Sequence, residues 1–94
     1  MVVLYVKRFQ KDLKGVHKNV QKRVFEVIEK LENAQSLETS GLDCKKMEGQ
    51  KSGENYYRIR VGDWRIGIEY IHPDVTLLRV LSRGDIYKSF PPKS

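Results

Sequence analysis

Arginines are concentrated in the last forty or so residues, where they alternate with apolar side chains. Arg58, Arg60 and Arg65 lie within one short stretch, and Arg83 follows a later apolar run, shortly before Tyr87. Guanidinium groups stay protonated and can hold two phosphate oxygens at once. A cluster of them repels itself unless an anion binds there. These residue types therefore predict a site for a phosphate-bearing partner, with a phenol beside it.

The pattern around the arginines predicts a β-hairpin that positions them. Successive side chains in a strand point to opposite faces, so Arg58 and Arg60 share one face. The Gly62-Asp63 pair, between apolar residues, predicts a tight turn. A strand over 64–71 follows, and His72-Pro73-Asp74 supplies the next turn. The apolar density of a further strand over 75–82 predicts a central position covered on both faces.

The first half of the chain must support this sheet. Residues 2–6 are a short β-branched run that predicts a strand. Apolar side chains then recur at spacings of three and four, which predicts helices over 7–14 and 17–33 folded back as a hairpin. Residues 34–55 carry three glycines and no long apolar run. We interpret them as a connecting segment that Leu42 and Met47 pin to the core.

The order β-α-α-β-β-β predicts an α+β fold. We expect one domain over residues 1–94, since a chain of this length can bury one modest core. In this fold the N-terminal helical hairpin packs on one face of a four-stranded, mostly antiparallel sheet.

The composition indicates which kinds of partner and which cellular location to expect. The formal net charge is +6 and the pI is about 9.6, a balance that favours nucleic acid or an acidic protein over the third anionic partner, a membrane surface. No run approaches the roughly 18 apolar residues of a membrane span, and the N-terminus lacks the features of a signal peptide. The single cysteine, Cys44, excludes an internal disulfide. We therefore expect a cytoplasmic protein.

The remaining polar residues predict no cofactor. One cysteine and two distant histidines give no recognisable metal-ligand spacing. We expect His17 and His72 on the surface and Trp64 in core or hairpin packing. Arg79, in the middle of an apolar strand, is expected to form an ion pair with Glu69.

Essentially the whole chain, in its length, element order and C-terminal motifs, resembles the RelE/ParE superfamily of bacterial and archaeal toxins. The resemblance is carried by residues 46–49, by the string Tyr-Arg-Ile-Arg-Val-Gly-Asp-Trp-Arg-Ile over 57–66, and by Arg-Gly-Asp-Ile-Tyr over 83–87. It implies the toxic half of a toxin–antitoxin pair. The RelE-like branch cleaves messenger RNA in the ribosomal decoding site without a metal, whereas the ParE-like branch inhibits DNA gyrase. Tyr87 favours the RelE-like branch, because ParE-like chains usually lack this tyrosine.

The resemblance also assigns roles to particular positions. Arg58 and Arg60 correspond to a paired basic position, Arg65 to the basic residue after an aromatic, and Arg83 and Tyr87 to the C-terminal arginine and tyrosine. In metal-free cleavage the ribose 2′-hydroxyl attacks the adjacent phosphate, so cations must stabilise the phosphorane and protons must move. We expect Arg65 and Arg83 to neutralise the transition state, Arg58 and Arg60 to hold the scissile region, and Tyr87 to move a proton or stack on a base.

Several partners and alternatives follow from the resemblance. Lys45 and Lys46 would contact phosphates of messenger or ribosomal RNA, or else form a solvated loop. The partners implied are an acidic antitoxin, messenger RNA on the ribosome, and operator DNA reached through the antitoxin. The alternatives are a ParE-like gyrase inhibitor and a degenerate homologue that only binds its antitoxin and co-represses transcription.

Overall fold

The sheet carries two helices on one face and a one-turn helix on the other. The computed structural model describes residues 1–92. In chain order the elements are β1 (Val2–Tyr5), α1 (Lys7–Lys14), α2 (Lys18–Asn33), β2 (Cys44–Lys46), β3 (Tyr56–Val61), β4 (Trp64–Ile71), β5 (Asp74–Ser82) and α3 (Ile86–Ser89). The strand order is β1-β5-β4-β3-β2. Within residues 1–92, β1 and β5 alone pair in parallel, so the predicted α+β class and mostly antiparallel sheet are confirmed.

The predicted element boundaries agree closely with the structure. Helix α1 and strand β4 have the predicted bounds, and α2 begins one residue later than expected. His17 is the N-cap of α2, where its Nδ1 accepts a hydrogen bond from the Asn19 amide at 3.2 Å. Strand β5 is internal, between β1 and β4, although β4 is the middle strand. The turn between β3 and β4 contains Gly62 with a φ of +60°, a conformation that glycine adopts without steric cost.

The connecting segment contains a strand that the sequence pattern did not predict. Strand β2 pairs antiparallel with β3, placing Cys44 opposite Ile59 and Lys46 opposite Tyr57. The sheet therefore has five strands rather than four. Three residues, two of them lysines, give no alternating apolar signal, so β2 depends on the pairing that β3 offers. The prediction that Leu42 and Met47 anchor this segment is confirmed. Leu37, which was not predicted as an anchor, is also buried.

Two apolar clusters lie on opposite faces of the sheet. The larger one joins α1 and α2 to the sheet; its members include Phe9, Val24, Leu31, Ile59, Ile66, Ile68 and Leu77. The smaller one contains Met47, Ile86 and Phe90, with Tyr56, Leu78 and Leu81 packed against it. Trp64 is half-buried against the larger cluster, as predicted. We refer to the face that carries the smaller cluster as the open face.

The expected ion pair between Arg79 and Glu69 is wrong. The Arg79 Nε instead lies 2.7 Å from Oδ2 of Asp12 on α1, and the same oxygen accepts the Val80 amide at 3.0 Å. A register shift beside Gly67 carries Arg79 out of step with Glu69, which pairs with Thr76. Because β1 pairs β5 only as far as Leu77, α1 covers the rest of that edge and Asp12 supplies the missing acceptor.

Residues 1–92 contain no helix with the length and apolar character needed to cross a bilayer.

Candidate active site

The strand register places basic residues side by side on the open face. Lys45 lies opposite Arg58, and Arg58 lies opposite Gly67 on its other side. One step toward the turn, Arg60 lies opposite Arg65. Directly opposed residues share a face. The prediction that Arg58 and Arg60 share one face is therefore confirmed, and β2 adds Lys45 to them.

The segment after β5 brings Tyr87 to the same face. Ile86 and Phe90, at the two ends of α3, are 0% and 2% exposed, and both pack into the smaller cluster. Tyr87 is 61% exposed. A helix of four residues has little stability of its own, so the two buried anchors hold the tyrosine at the surface.

A cleft of about 350 Å³ lies between these two parts of the molecule. Basic groups from two strands line one part of it, and the C-terminal segment lines another. Its lining residues are Lys45, Lys46, Met47, Glu48, Arg58, Tyr87, Phe90 and Pro91. Lys46 lies opposite Tyr57, which packs on the helix side of the sheet. Of the two lysines, Lys45 is therefore the one that alternation directs to the open face.

Arg58 is the most enclosed cation of the cleft. Its side chain is 17% exposed, and its Nη1 lies 4.0 Å from Oδ1 of Asp43. That separation exceeds a hydrogen bond, and the buried Nη1 has no hydrogen-bond partner among the described residues. Oδ2 of Asp43 lies 4.0 Å from Nη1 of Arg60, which is 59% exposed. One exposed carboxylate thus faces two guanidinium groups at the limit of an ion pair, and neither is locked to it.

The other predicted arginines lie toward the β3–β4 turn and do not line the cleft. The Arg65 Nη1 donates to the carbonyls of Gly62 and Trp64 at 2.7 and 2.9 Å, which ties its guanidinium to the turn. Its Nε is buried and has no hydrogen-bond partner in residues 1–92. Arg83 is exposed, and its backbone amide donates to Asp63 at 2.9 Å. The structure therefore gathers Lys45, Lys46, Arg58 and Tyr87 around one cleft and sets three arginines beyond it.

Two further titratable groups lie close to the cleft. Burial, then the carboxylates of Glu69 and Glu54, raise the pKa of Tyr56. The ionised form of this tyrosine is consequently less populated than that of an ordinary phenol. Burial, with Glu38 and Asp43, also raises the pKa of the Cys44 thiol, which disfavours the reactive thiolate.

Two other cavities, both beside the helices, suit an anionic ligand less well. A cleft of about 540 Å³ beside the end of α2 is lined by Glu26 and Glu29. A groove of about 380 Å³ between α1 and α2 is lined mainly by aromatic and aliphatic side chains such as Phe9 and Phe25. Within residues 1–92, no three His, Cys, Asp or Glu side chains are grouped closely enough to hold a metal ion.

Several residues of the site were not predicted from the sequence, and three of them shape it most directly. Asp43 faces two arginines, Phe90 forms part of the cleft, and Gly67 lies beneath the Phe90 ring. Asp43 precedes an unpredicted strand, so no pattern identified it. Gly67 did offer a signal, because a glycine inside a strand often marks close approach of another group.

Comparison with known proteins places the chain in a family. A family described as "ParE toxin of type II toxin-antitoxin system, parDE" matches residues 3–87, from β1 to Tyr87. The chain belongs to the RelE/ParE superfamily of toxins. The matched range includes all seven predicted site residues. The resemblance inferred from the sequence, which extended over essentially the whole chain, is thus confirmed over residues 3–87.

Relatives of this toxin have been described in archaea. It is 47% identical over 91 residues to Toxin RelE3 of Methanocaldococcus jannaschii, a match that covers 97% of this chain and 100% of the relative. A chain in the crystal structure of the RelB-RelE antitoxin-toxin complex from Methanococcus jannaschii has a TM-score of 0.76 and 45% identity, covering 94% of the toxin and 99% of that chain.

More distant structures retain the same fold. The archaeal RelE-RelB complex from Pyrococcus horikoshii OT3 gives a TM-score of 0.68 at 26% identity, over 88% of the toxin and 94% of the matched chain. The intact RelBE complex of E. coli gives 0.61 at 17% identity, over 86% and 94%. At this last level of identity the likeness establishes the fold alone.

Proposed function

We propose that the toxin is a metal-independent endoribonuclease that cleaves messenger RNA on the ribosome. The observation that carries this proposal is the cleft in which Arg58 and Lys45 face an exposed Tyr87. A phosphodiester would add a hydrogen-bond acceptor beside Arg58, whose Nη1 lies 4.0 Å from Asp43 and makes no hydrogen bond among the described residues. The name of the 47% identical relative, Toxin RelE3, supports the RelE-like branch.

The reaction divides into tasks that these side chains can perform. The ribose 2′-oxygen attacks the adjacent phosphorus as its proton leaves, and the bond to the 5′-oxygen breaks as that oxygen gains a proton. The products are a 2′,3′-cyclic phosphate and a free 5′-hydroxyl. Arg58 and Lys45 neutralise charge on the phosphorane, since preorganised cations stabilise developing charge without reorganising. Tyr87 moves one of the protons or stacks on a neighbouring base.

The arginines beyond the cleft would extend the contact along the substrate. Arg60 and Arg83 are exposed and would bind flanking RNA phosphates rather than the reacting one. Arg65 holds the turn through two carbonyls, and its positive charge adds to the potential that attracts RNA. Lys46 would contact RNA at the rim of the cleft.

The proposed regulator is an acidic antitoxin encoded beside the toxin. Relatives that are 45% and 26% identical were solved in RelB–RelE complexes, and the net charge of +6 favours an acidic partner. The antitoxin covers the basic open face or wraps the helices, and it carries the complex to operator DNA. Co-expression of the neighbouring short acidic reading frame should restore growth, and the protein that it encodes should co-purify with the toxin.

Regulated expression followed by mapping of RNA ends tests the proposed activity. We expect new 5′ ends within translated codons soon after induction, with cyclic phosphate on the upstream fragments. Purified toxin should reproduce the cuts on ribosome-bound messages but leave free RNA largely intact. Intact messages in cells whose growth has stopped would contradict the proposal.

Gyrase inhibition is the second candidate, because the matching family is described as ParE toxin. The same expression experiment separates the two activities. Double-strand DNA breaks with intact messages would support gyrase inhibition, whereas codon-located cuts without DNA breaks would support the nuclease. Normal growth with antitoxin binding would indicate a degenerate homologue.

Asp43→Asn is expected to strengthen RNA binding. Removing the carboxylate frees Arg58 and Arg60 for phosphate, and an exposed ion pair contributes at most about 1 kcal/mol, or roughly fivefold in affinity. Titration of the catalytically impaired Tyr87→Phe variant with a short single-stranded RNA, with and without Asp43→Asn, measures the change. Asp74→Asn makes the same charge change at the far end of β5, where Asp74 is exposed. An equal gain in both variants would mean that net charge, not the local carboxylate, sets the affinity.

A further inference from the structure

Gly67 leaves space for an aromatic ring on the open face. A Cβ built at this position would lie 2.9 Å from Cγ, Cδ1 and Cε1 of the Phe90 ring, well inside the 3.5–4.0 Å of ordinary carbon contacts. The backbone of Gly67 is not in the left-handed region. The glycine is therefore required by the space that the ring occupies and not by the conformation of the strand.

The Phe90 ring is buried between Gly67 of β4 and the neighbouring side chains of the smaller cluster. It is 2% exposed, and its ring meets Tyr56 edge-on, with centroids 5.6 Å apart and planes at 79°. Its amide donates to the Ile86 carbonyl at 2.9 Å, which closes the single turn of α3. Phe90 and Ile86 thus fasten both ends of the segment that carries Tyr87.

The ring also lies next to the most enclosed cation of the cleft. Gly67 is directly opposite Arg58 in the β3–β4 register, so a ring seated on Gly67 borders the Arg58 side chain. Both Phe90 and Arg58 line the cleft with Tyr87. A shift of the ring would change the separation between Tyr87 and Arg58.

We propose that Gly67 and Phe90 are positioning residues: the ring seated on the bare backbone of Gly67 sets where Tyr87 lies relative to Arg58. The proposal rests on the proposed function, in that Tyr87 and Arg58 must act on the same phosphodiester. Neither positioning residue touches the reacting atoms. Misplacement by about 1 Å can slow a reaction about 10²-fold, so a methyl group at position 67 should impair cleavage strongly.

The first measurement tests the contact between Gly67 and Phe90, which we call the anchor, and does not depend on activity. Hydrogen exchange of the Lys88 and Phe90 amides reports on α3, since Lys88 donates to the carbonyl of its N-cap, Asp85, and Phe90 donates to the carbonyl of Ile86. Gly67→Ala is expected to speed this exchange at least about tenfold, because the added methyl group displaces the ring. Gly84→Ala is the matched control, since a Cβ there meets no atom within 4 Å and its backbone is not left-handed. Equal exchange in both variants would overturn the anchor.

The second measurement asks whether the anchor acts through Tyr87. Gly67→Ala should lower kcat at least about tenfold with little change in KM, since the residue binds no substrate. In a Tyr87→Ala background the same substitution should change kcat less than twofold. Phe90→Leu should restore part of the activity of Gly67→Ala, because the smaller side chain makes room for the methyl group. An undiminished loss in the Tyr87→Ala background would overturn the positioning role.

The two measurements also separate this inference from the proposed function. Suppose that amide exchange is faster in Gly67→Ala but the unaltered toxin does not cleave RNA. The proposed nuclease activity and the positioning of Tyr87 for catalysis would then be wrong, whereas the contact between Gly67 and Phe90 would stand. Cleavage by the unaltered toxin that Gly67→Ala leaves unchanged would keep the nuclease and overturn the positioning role.

Discussion

Tyr87→Phe is expected to slow RNA cleavage by about 10²–10⁴-fold, the range that positioned acid–base groups contribute. The substitution removes only the hydroxyl of a side chain that is 61% exposed, so the fold and the affinity for RNA should stay the same. Single-turnover cleavage of ribosome-bound message measures the rate, and RNA titration measures the affinity. Cells expressing the variant should grow almost normally.

Two further variants make this test specific. Tyr5→Phe removes the hydroxyl from a tyrosine that is 58% exposed and lines the groove between α1 and α2, and it should leave cleavage unchanged. Full activity in Tyr87→Phe would exclude proton transfer. Tyr87→Ala would then test stacking, since stacking on an aromatic ring contributes about 1–3 kcal/mol per base.

Asp12→Ala is expected to lower the free energy of unfolding by about 3–5 kcal/mol, the usual effect of removing one partner of a buried ion pair. The Asp12 and Arg79 side chains are 10% and 17% exposed. The substitution leaves the Arg79 guanidinium without its counter-charge and the Val80 amide without its acceptor. Urea unfolding, in the Tyr87→Phe background to allow expression, measures the change.

The same carboxylate offers an internal control. Arg8 lies 3.7 Å from the other oxygen of Asp12, but its side chain is 62% exposed, so Arg8→Ala should change stability by less than about 1 kcal/mol. Replacing both Asp12 and Arg79 by apolar residues should recover part of the loss, because no charge is then left unpaired. A small effect of Asp12→Ala, similar to that of Arg8→Ala, would show that the pair does not hold α1 to β5.

Local patterns predicted the elements that long amphipathic stretches encode. The helical spacing from Phe9 to Leu31 and the turn at Gly62 gave boundaries within about a residue of those observed. Strand β2 was missed because Cys44–Lys46 has no alternation of its own and forms only against β3. The Arg79 partner was misassigned because a register shift and the packing of α1 decide it, and neither leaves a mark in the sequence of β5.

The site could be predicted in kind but not in arrangement. Alternation placed Arg58 and Arg60 on one face, and the resemblance singled out Tyr87. Which cations reach that tyrosine depends on β2, which brings Lys45 opposite Arg58, and on the fold of the last residues over the sheet. Gly67 and Phe90 are far apart in sequence, with β5 and α3 between them. The only sequence signal for their contact was a glycine inside a predicted strand.

Strand β2 forms one outer edge of the sheet, where unpaired backbone groups invite a second copy to add a strand. Lysines on such an edge oppose aggregation, because bringing two copies together would bury like charges. Lys45 and Lys46 would then protect solubility as well as contact RNA. Replacing them with glutamate should weaken RNA binding yet keep the protein dispersed, whereas valine at both positions should promote fibrillar assembly, detectable by light scattering.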